Sequence, residues 1–164
     1  MSEKLYEAVT ELRHIPDILK VPPGNILLLR AHGKGVQIYT CPDTTRATPH
    51  AILLERARAK GDVVAIHFAG PSWQATKDGS IVVGDAANAT HVVAPDPDDV
   101  DWLLLPVKST TGNGLLSKVT FIQRLHTHGG KAPTCSCDQK QDGTKILVEY
   151  SAQYLFYVAA TALQ

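Results

Sequence analysis

The sequence predicts an all-β protein, a barrel or sandwich of about nine antiparallel strands in one domain. From Val21 onward, short apolar runs are separated by Gly, Pro, Asn and Asp at intervals of about ten residues, which is typical of sheets built from short strands. Near the C-terminus, Tyr150, Tyr154 and Phe156 fall on one side of an alternating run and Glu149 falls on the other. We expect this aromatic row to lie in the core.

The chain begins with an expected helix and continues as strands. Apolar residues recur at helical spacing over residues 3–13 and predict a short amphipathic helix that ends before Pro16. Residues 1–20 are therefore interpreted as an N-terminal helical extension, and residues 21–164 as a single β domain. We expect the strands at residues 25–32, 35–41, 50–58, 62–68, 80–85, 91–94, 102–108, 115–127 and 145–158.

Composition and charge argue against two classes of partner. Sixteen basic and sixteen acidic side chains give a formal net charge of zero, and the basic residues form no dense cluster. We therefore expect no nucleic acid partner. The apolar runs fall far short of the roughly 20 residues that span a bilayer, so we expect no membrane partner. A small-molecule ligand is the expected partner, and a homodimer is left open.

The sequence leaves the compartment and the redox state open. Residues 1–5 carry both an acid and a base without an apolar segment, so no signal peptide is visible and a cytoplasmic location is implied. Cys41, Cys135 and Cys137 form an odd set. They allow one disulfide with a thiol left over, three thiols, or part of a metal site.

The stretch from His67 to Trp73 is the strongest candidate for a site, because it places an imidazole and an indole around a backbone turn. Gly70 can adopt positive φ and Pro71 fixes φ at about −65°, so a strand that carries His67 must break there. The pair Asp78-Gly79 then predicts a tight hairpin turn into the next apolar run.

The leading hypothesis is a small-molecule-binding β-barrel. A closed sheet with an aromatic interior offers an apolar cavity with a few polar contacts, which is the usual composition of a ligand site. We expect the ligand to lie beside His67, with four aromatic residues as its contacts: Trp73, Tyr39, Tyr150 and Trp102.

An enzyme without a cofactor is the second hypothesis, with lyase, isomerase or cyclase chemistry. His67 would act as general acid or base, Asp78 would orient it, and Tyr154 or Tyr39 would donate a hydrogen bond to a developing oxyanion. The common hydrolase signatures are absent from the sequence. A third hypothesis is a stress-related or extracellular structural protein without a pocket.

We expect the protein to have no cofactor, and a zinc or copper site is the alternative. Strand alternation places His126 and His128 on the same face, and Cys135 and Cys137 follow shortly afterwards. Imidazole and thiolate are suitable donors for zinc or copper, but this spacing matches no established zinc motif. Loop histidines beside a disulfide are the simpler interpretation.

Seven ordered segments resemble a known family over about residues 21–158. They are Gly35-Val36-Gln37-Ile38-Tyr39 with Cys41, His67-Phe68 with Gly70-Pro71 and Trp73, Asp78-Gly79-Ser80, Trp102-Leu103-Leu104, Thr127 with Gly129-Gly130 and Ala132-Pro133, Cys137-Asp138, and Tyr150-Ser151-Ala152 with Tyr154 and Phe156-Tyr157. Together they are similar to the DUF3455 family of uncharacterised, mostly secreted proteins.

The resemblance implies an extracellular location and pairs Cys41 with Cys137, which leaves Cys135 as the extra thiol. Some fungal members carry the name malate dehydrogenase, but the Gly112-Asn113-Gly114 turn of this chain leads into a strand-like run, whereas a dinucleotide loop opens a helix. This chain departs from the family by its lack of a visible signal peptide, by His126 in place of a more usual asparagine, and by its additional His128 and Cys135.

Overall fold

The computed structural model describes residues 2–3, 14–55 and 61–163. The helix predicted over residues 3–13 falls almost entirely on residues outside this part, as does the end of the strand predicted over residues 50–58. The described strands are β1 (Asn25–Thr40), β2 (Asp43–Leu54), β3 (Val63–Phe68), β4 (Ser72–Ala75), β5 (Ile81–Gly84), β6 (Thr90–Val92), β7 (Trp102–Thr111), β8 (Val119–Gly129) and β9 (Lys145–Ala159). Short 3-10 helices lie at Asp17–Leu19, Ala86–Asn88 and Ala160–Leu163.

The nine strands of the described part form one antiparallel sheet that closes on itself, which confirms the predicted all-β fold. Their order is β5-β4-β3-β2-β1-β9-β8-β7-β6, and β5 pairs with β7 as well. This last pairing joins Ile81 to Thr111 and Val82 to Thr110, so the strands form a ring with β6 attached to β7. Among the described residues, no helix is long and apolar enough to cross a membrane.

Strand β1 is continuous where two strands are predicted, at residues 25–32 and 35–41, with a break at residues 33–34. Gly33 lies within the strand, where a Cβ atom would collide with the ring of Tyr154. The glycine is therefore a point of close packing between β1 and β9, and it does not end the strand. The chain then turns and pairs with itself as the β1–β2 hairpin.

Other strands also differ from the sequence prediction, and β2 begins at Asp43 whereas the prediction begins at residue 50. Strand β4 occupies residues that were interpreted as the bend around Trp73, because the turn at residues 69–71 is short enough for pairing to resume at once. Strand β8 begins at Val119, whereas the prediction begins at residue 115. The intervening residues form turns in which Ser117 N–H donates to Gly114 and Val119 N–H donates to Leu116.

The inner face of the ring holds the larger core. Alternation along β9 places Tyr150, Ala152, Tyr154, Phe156 and Val158 on this face, and all five are buried. The predicted aromatic row is therefore core. Burial of large aromatic side chains contributes strongly to stability because each removes a large apolar area from water.

A second apolar cluster lies on the outer face. Trp102, Leu125 and Leu155 pack there with Ile15 and Leu19 from the segment before β1. Gln123 fixes that segment, since its side-chain amide donates to the carbonyl of Leu19 at 2.7 Å. Residues 15–19 thus belong to the packed part of the molecule.

A disulfide joins Cys41, next to the end of β1, to Cys137 in the loop of residues 130–144. Cys135 is exposed and unpaired among the described cysteines. The structure therefore agrees with the pairing that the family resemblance implies.

Candidate functional site

A cavity of about 1060 Å³, open to solvent, lies at one end of the ring. Inner-face side chains of six strands line it: Gln37, Tyr39, His67, Trp73, Leu103, Leu105, Arg124 and Tyr154. Exposed residues around its rim include Arg46 of β2 and Ala87 of the second 3-10 helix. Its walls combine aromatic, aliphatic and charged side chains.

His67 and Trp73 lie on adjacent strands and face each other directly. They are register partners of β3 and β4, and the intervening turn contains Gly70 at a φ of 149°, a conformation that L side chains rarely adopt. The imidazole and indole rings are stacked, with centroids 4.2 Å apart and planes 6° apart. The turn signals in the sequence therefore do build a paired imidazole and indole, and both rings line the cavity.

The imidazole of His67 is held by the main chain. Its Nδ1–H donates to the carbonyl oxygen of Ser72 at 2.8 Å, which leaves Nε2 as a hydrogen-bond acceptor in the neutral ring. Burial lowers the pKa of His67 to about 3, although the Ser72 carbonyl favours the protonated form. His67 is therefore neutral at physiological pH.

Tyr154 completes the aromatic cluster. Its ring meets those of His67 and Trp73 edge to face, at centroid distances of 5.3 and 5.7 Å. Its hydroxyl lies 2.9 Å from the hydroxyl of Tyr150. Burial raises the pKa of both tyrosines, so both are neutral hydroxyl groups that donate and accept hydrogen bonds.

Arg124 is a cavity residue that the sequence analysis missed. It is the register partner of Tyr154 across β8 and β9, and it interacts with the Tyr154 hydroxyl. Its Nε and Nη2 groups donate to the main-chain carbonyl of Asp101 at 3.0 and 2.8 Å. The available signal was the one charged residue of the segment 119–125, which alternation places on the same face as Ile122.

Tyr39 connects the cavity to the disulfide-bonded loop. Its hydroxyl donates to the carbonyl of Gly130, and burial raises the pKa of this tyrosine. Lys131 and Ala132, which follow Gly130, line the cavity as well. The hydrogen bond and the Cys41–Cys137 bridge thus hold the loop of residues 130–144 against the cavity.

Two of the predicted ligand contacts lie elsewhere. Trp102 packs in the outer cluster, because it alternates with Leu103 along β7 and Leu103 faces the interior. Tyr150 is buried behind Tyr154 and does not line the cavity. Tyr39 and Trp73 are the two predicted contacts that line it.

Asp78 does not orient His67. Its carboxylate lies in the exposed turn between β4 and β5, where it accepts hydrogen bonds from the main-chain N–H groups of Ser80 and Leu115, each at 2.8 Å. The Ser72 carbonyl occupies the position at Nδ1 of His67 that an orienting carboxylate would take. The structure thus gives Asp78 contacts within the turn and none at the imidazole.

The predicted metal ligands are not brought together as a cluster. A bulge between Leu125 and His128 interrupts the alternation on which the prediction depended, and the ring of His126 packs edge to face on Trp102. Cys137 is in the disulfide and has no thiolate to offer. In the described part of the chain, no group of three or more His, Cys, Asp or Glu residues is placed to hold a metal ion.

The fold and the site define a class of all-β proteins in which a closed ring of strands encloses an aromatic cluster beside a cavity. Residues 53–158 match the model of a family described as a protein of unknown function, DUF3455. The protein belongs to this family, since the match covers more than half of the chain. The matched segment begins within β2, so the β1 residues that resemble the family lie outside it. No curated protein and no solved structure matches the chain.

Proposed function

We propose that the protein binds a small, partly apolar molecule in the cavity beside His67, Trp73 and Tyr154. The observation that carries this proposal is the cavity itself, whose volume of about 1060 Å³ is large enough for a metabolite-sized ligand. Ala87, Val93 and Leu103 supply apolar contact area, and a few polar groups can fix the orientation of a ligand.

Binding is better supported than proton transfer by His67. A pKa of about 3 makes the imidazole a weak base, and efficient general catalysis requires a pKa near the working pH. The neutral Nε2 is instead suited to accept a hydrogen bond from a ligand. A purely structural protein is less well supported, because the open cavity at the end of the ring would have no role in such a protein.

A thermal-shift screen with metabolite mixtures tests the proposal. Trp73 is only 1% exposed, so truncation to alanine would remove core packing along with the site. Ala87→Trp is the sharper variant, because Ala87 is an exposed residue of a 3-10 helix that lines the cavity. Ala160→Trp is the matched control, since Ala160 is exposed in another 3-10 helix and does not line the cavity.

We expect at least one mixture to raise the melting temperature of the wild-type protein and of Ala160→Trp, and to have little effect on Ala87→Trp. The absence of any stabilising mixture for the wild-type protein would contradict the proposal. Equal stabilisation of both tryptophan variants would place the ligand outside the cavity and would contradict it as well.

A further inference from the structure

Arg124 is a half-buried cation on the inner face of the sheet. Ile122, two residues before it on β8, is fully buried in the inner core, and Arg124 lies on the same face at the cavity wall. Arginine is seldom placed among core residues unless its charge has a partner. The position of this guanidinium therefore calls for a specific acceptor.

The acceptors that the structure supplies are neutral: the Asp101 carbonyl and the Tyr154 hydroxyl. The Asp101 carbonyl takes hydrogen bonds from Nε and Nη2, which orients the guanidinium but does not neutralise its charge. No ion pair of the described residues includes Arg124. The guanidinium has five N–H donors, so it can bind a further acceptor beyond Asp101 and Tyr154 while the Asp101 carbonyl holds it in place.

Most of the other charged side chains around the cavity are positive as well. Arg46 and Lys131 also line it, and Asp101 is the acidic member of the described lining. The carboxylate of Asp101 lies 3.4 Å from Nδ1 of His91 and is thus directed at another group. The cavity wall therefore carries an excess of positive charge, whose attraction for an anion is stronger in a partly buried site than in water.

We propose that the ligand of this cavity is a small carboxylic acid with an aromatic body, whose carboxylate binds Arg124. A planar carboxylate matches the paired N–H groups of a guanidinium, which gives a charge-assisted bidentate contact. The body would pack against Leu103 and Val93, and a hydroxyl group on it could donate to Nε2 of His67. This inference rests on the proposed function, because it names the chemical class bound at the same site.

Matched pairs of acids and amides test the inference. Benzoate, 3-phenylpropanoate and 4-hydroxycinnamate are each titrated beside the corresponding primary amide, at constant ionic strength, with calorimetry or ligand-observed NMR as the readout. The two members of a pair have nearly the same shape, so a difference in affinity reports the charge. We expect at least one acid to bind the wild-type protein roughly tenfold or more tightly than its amide.

Two variants test whether Arg124 causes the preference for the acid over the amide. Arg124→Gln is expected to reduce the affinity for the acid to that for the amide, and Arg124→Lys to retain part of the preference because it keeps the charge without the planar fork. Arg30→Gln is the control, since Arg30 precedes the inward-facing Ala31 on β1 and therefore lies on the opposite face of the sheet. We expect it to keep the preference.

The outcomes separate this inference from the proposed function. If the acids bind no better than the amides, or if the preference survives in Arg124→Gln, the inference is overturned while the cavity remains the binding site. If Ala87→Trp leaves acid binding unchanged, the acid binds elsewhere, and the inference is overturned. Should Arg124→Gln fail to fold, the wild-type acid and amide affinities and Arg124→Lys still decide the question.

Discussion

The imidazole of His67 lies flat on the indole of Trp73, with the two ring planes only 6° apart. A protonated imidazole in this position would gain a cation–π attraction of about 0.5–2 kcal/mol. The loss of hydration for a charge buried to this depth costs several kcal/mol, which is the larger effect. His67 is therefore neutral where it stacks on Trp73, and the stability of the fold should depend on pH.

We predict that the buried imidazole destabilises the protein as the pH falls below about 6.5. The pKa of His67 is about 3 in the folded protein and about 6.5 in the unfolded chain, so the unfolded chain binds more protons between these values. The stabilising contribution is complete above pH 6.5 and declines as the pH falls toward 3. At pH 5 the loss is about 2 kcal/mol.

Urea unfolding at pH 7 and pH 5 measures this loss for the wild-type protein and for His67→Gln, which has no titrating ring. We expect the pH dependence of the variant to be smaller by about 2 kcal/mol. Nitrogen NMR of the wild-type imidazole gives an independent readout. Ring signals of His67 that shift between pH 7 and pH 5 would show that the ring is protonated there, contrary to the prediction.

We predict that Gly33→Ala lowers the free energy of unfolding by about 1–3 kcal/mol, the usual cost of excess volume in a packed core. A Cβ atom at this position would collide with the ring of Tyr154, which is buried and packed edge to face against the rings of His67 and Trp73. Urea unfolding at pH 7 measures the change. The neighbouring exposed Lys34 provides the control, and Lys34→Ala is expected to change stability by less than about 0.5 kcal/mol. Equal effects would show that the space beside Tyr154 is unimportant.

We predict that Cys137→Ser lowers stability by about 4 kcal/mol, because the bridge to Cys41 closes a long loop and restricts the unfolded chain. The two cysteines are 96 residues apart. Thermal unfolding measures the effect, and dithiothreitol should reproduce it in the wild-type protein. Cys135→Ser is the control, since Cys135 is an exposed free thiol. Equal melting temperatures for the two serine variants would contradict the prediction.

We predict that Asp78→Ala lowers the urea midpoint without changing ligand binding. The hydrogen bonds to Ser80, followed by that from Leu115, lower the pKa of the Asp78 carboxyl group. Its contribution to stability is therefore present above the ordinary pKa and is lost as the pH falls through the lower folded value. Asp62→Ala, at another exposed position, should leave the midpoint unchanged. A loss of affinity for a ligand found in the screen would show that Asp78 acts at the cavity.

The parts of the site that could be predicted are those with local signals. The glycine and proline of the turn after Phe68 specify a sharp reversal, and a sharp reversal between two strands places His67 opposite Trp73. The alternating run that contains Tyr154 has one apolar face, so its aromatic side chains could be assigned to the interior.

The parts that could not be predicted depend on which face of a strand points inward. The run from Trp102 to Leu105 is apolar at every position, so alternation gives no way to distinguish the outer Trp102 from the inner Leu103. Arg124 was missed for a related reason, since a single charge within a predicted strand suggests solvent exposure until the neighbouring strands are known. The inward or outward orientation of Trp102 and Arg124 can be assigned only once the order of strands in the closed ring is known.

The family match covers residues 53–158, whereas the ring of strands begins at Asn25. This difference limits which fragments of the protein can fold. A fragment of residues 53–158 would contain the matched segment but would lack β1, which lies between β2 and β9 and bonds to both. The ring would be cut open, with β9 left as a bare edge able to pair with other chains. We expect such a fragment to aggregate, so a recombinant version should include β1 and the part of β2 that precedes residue 53.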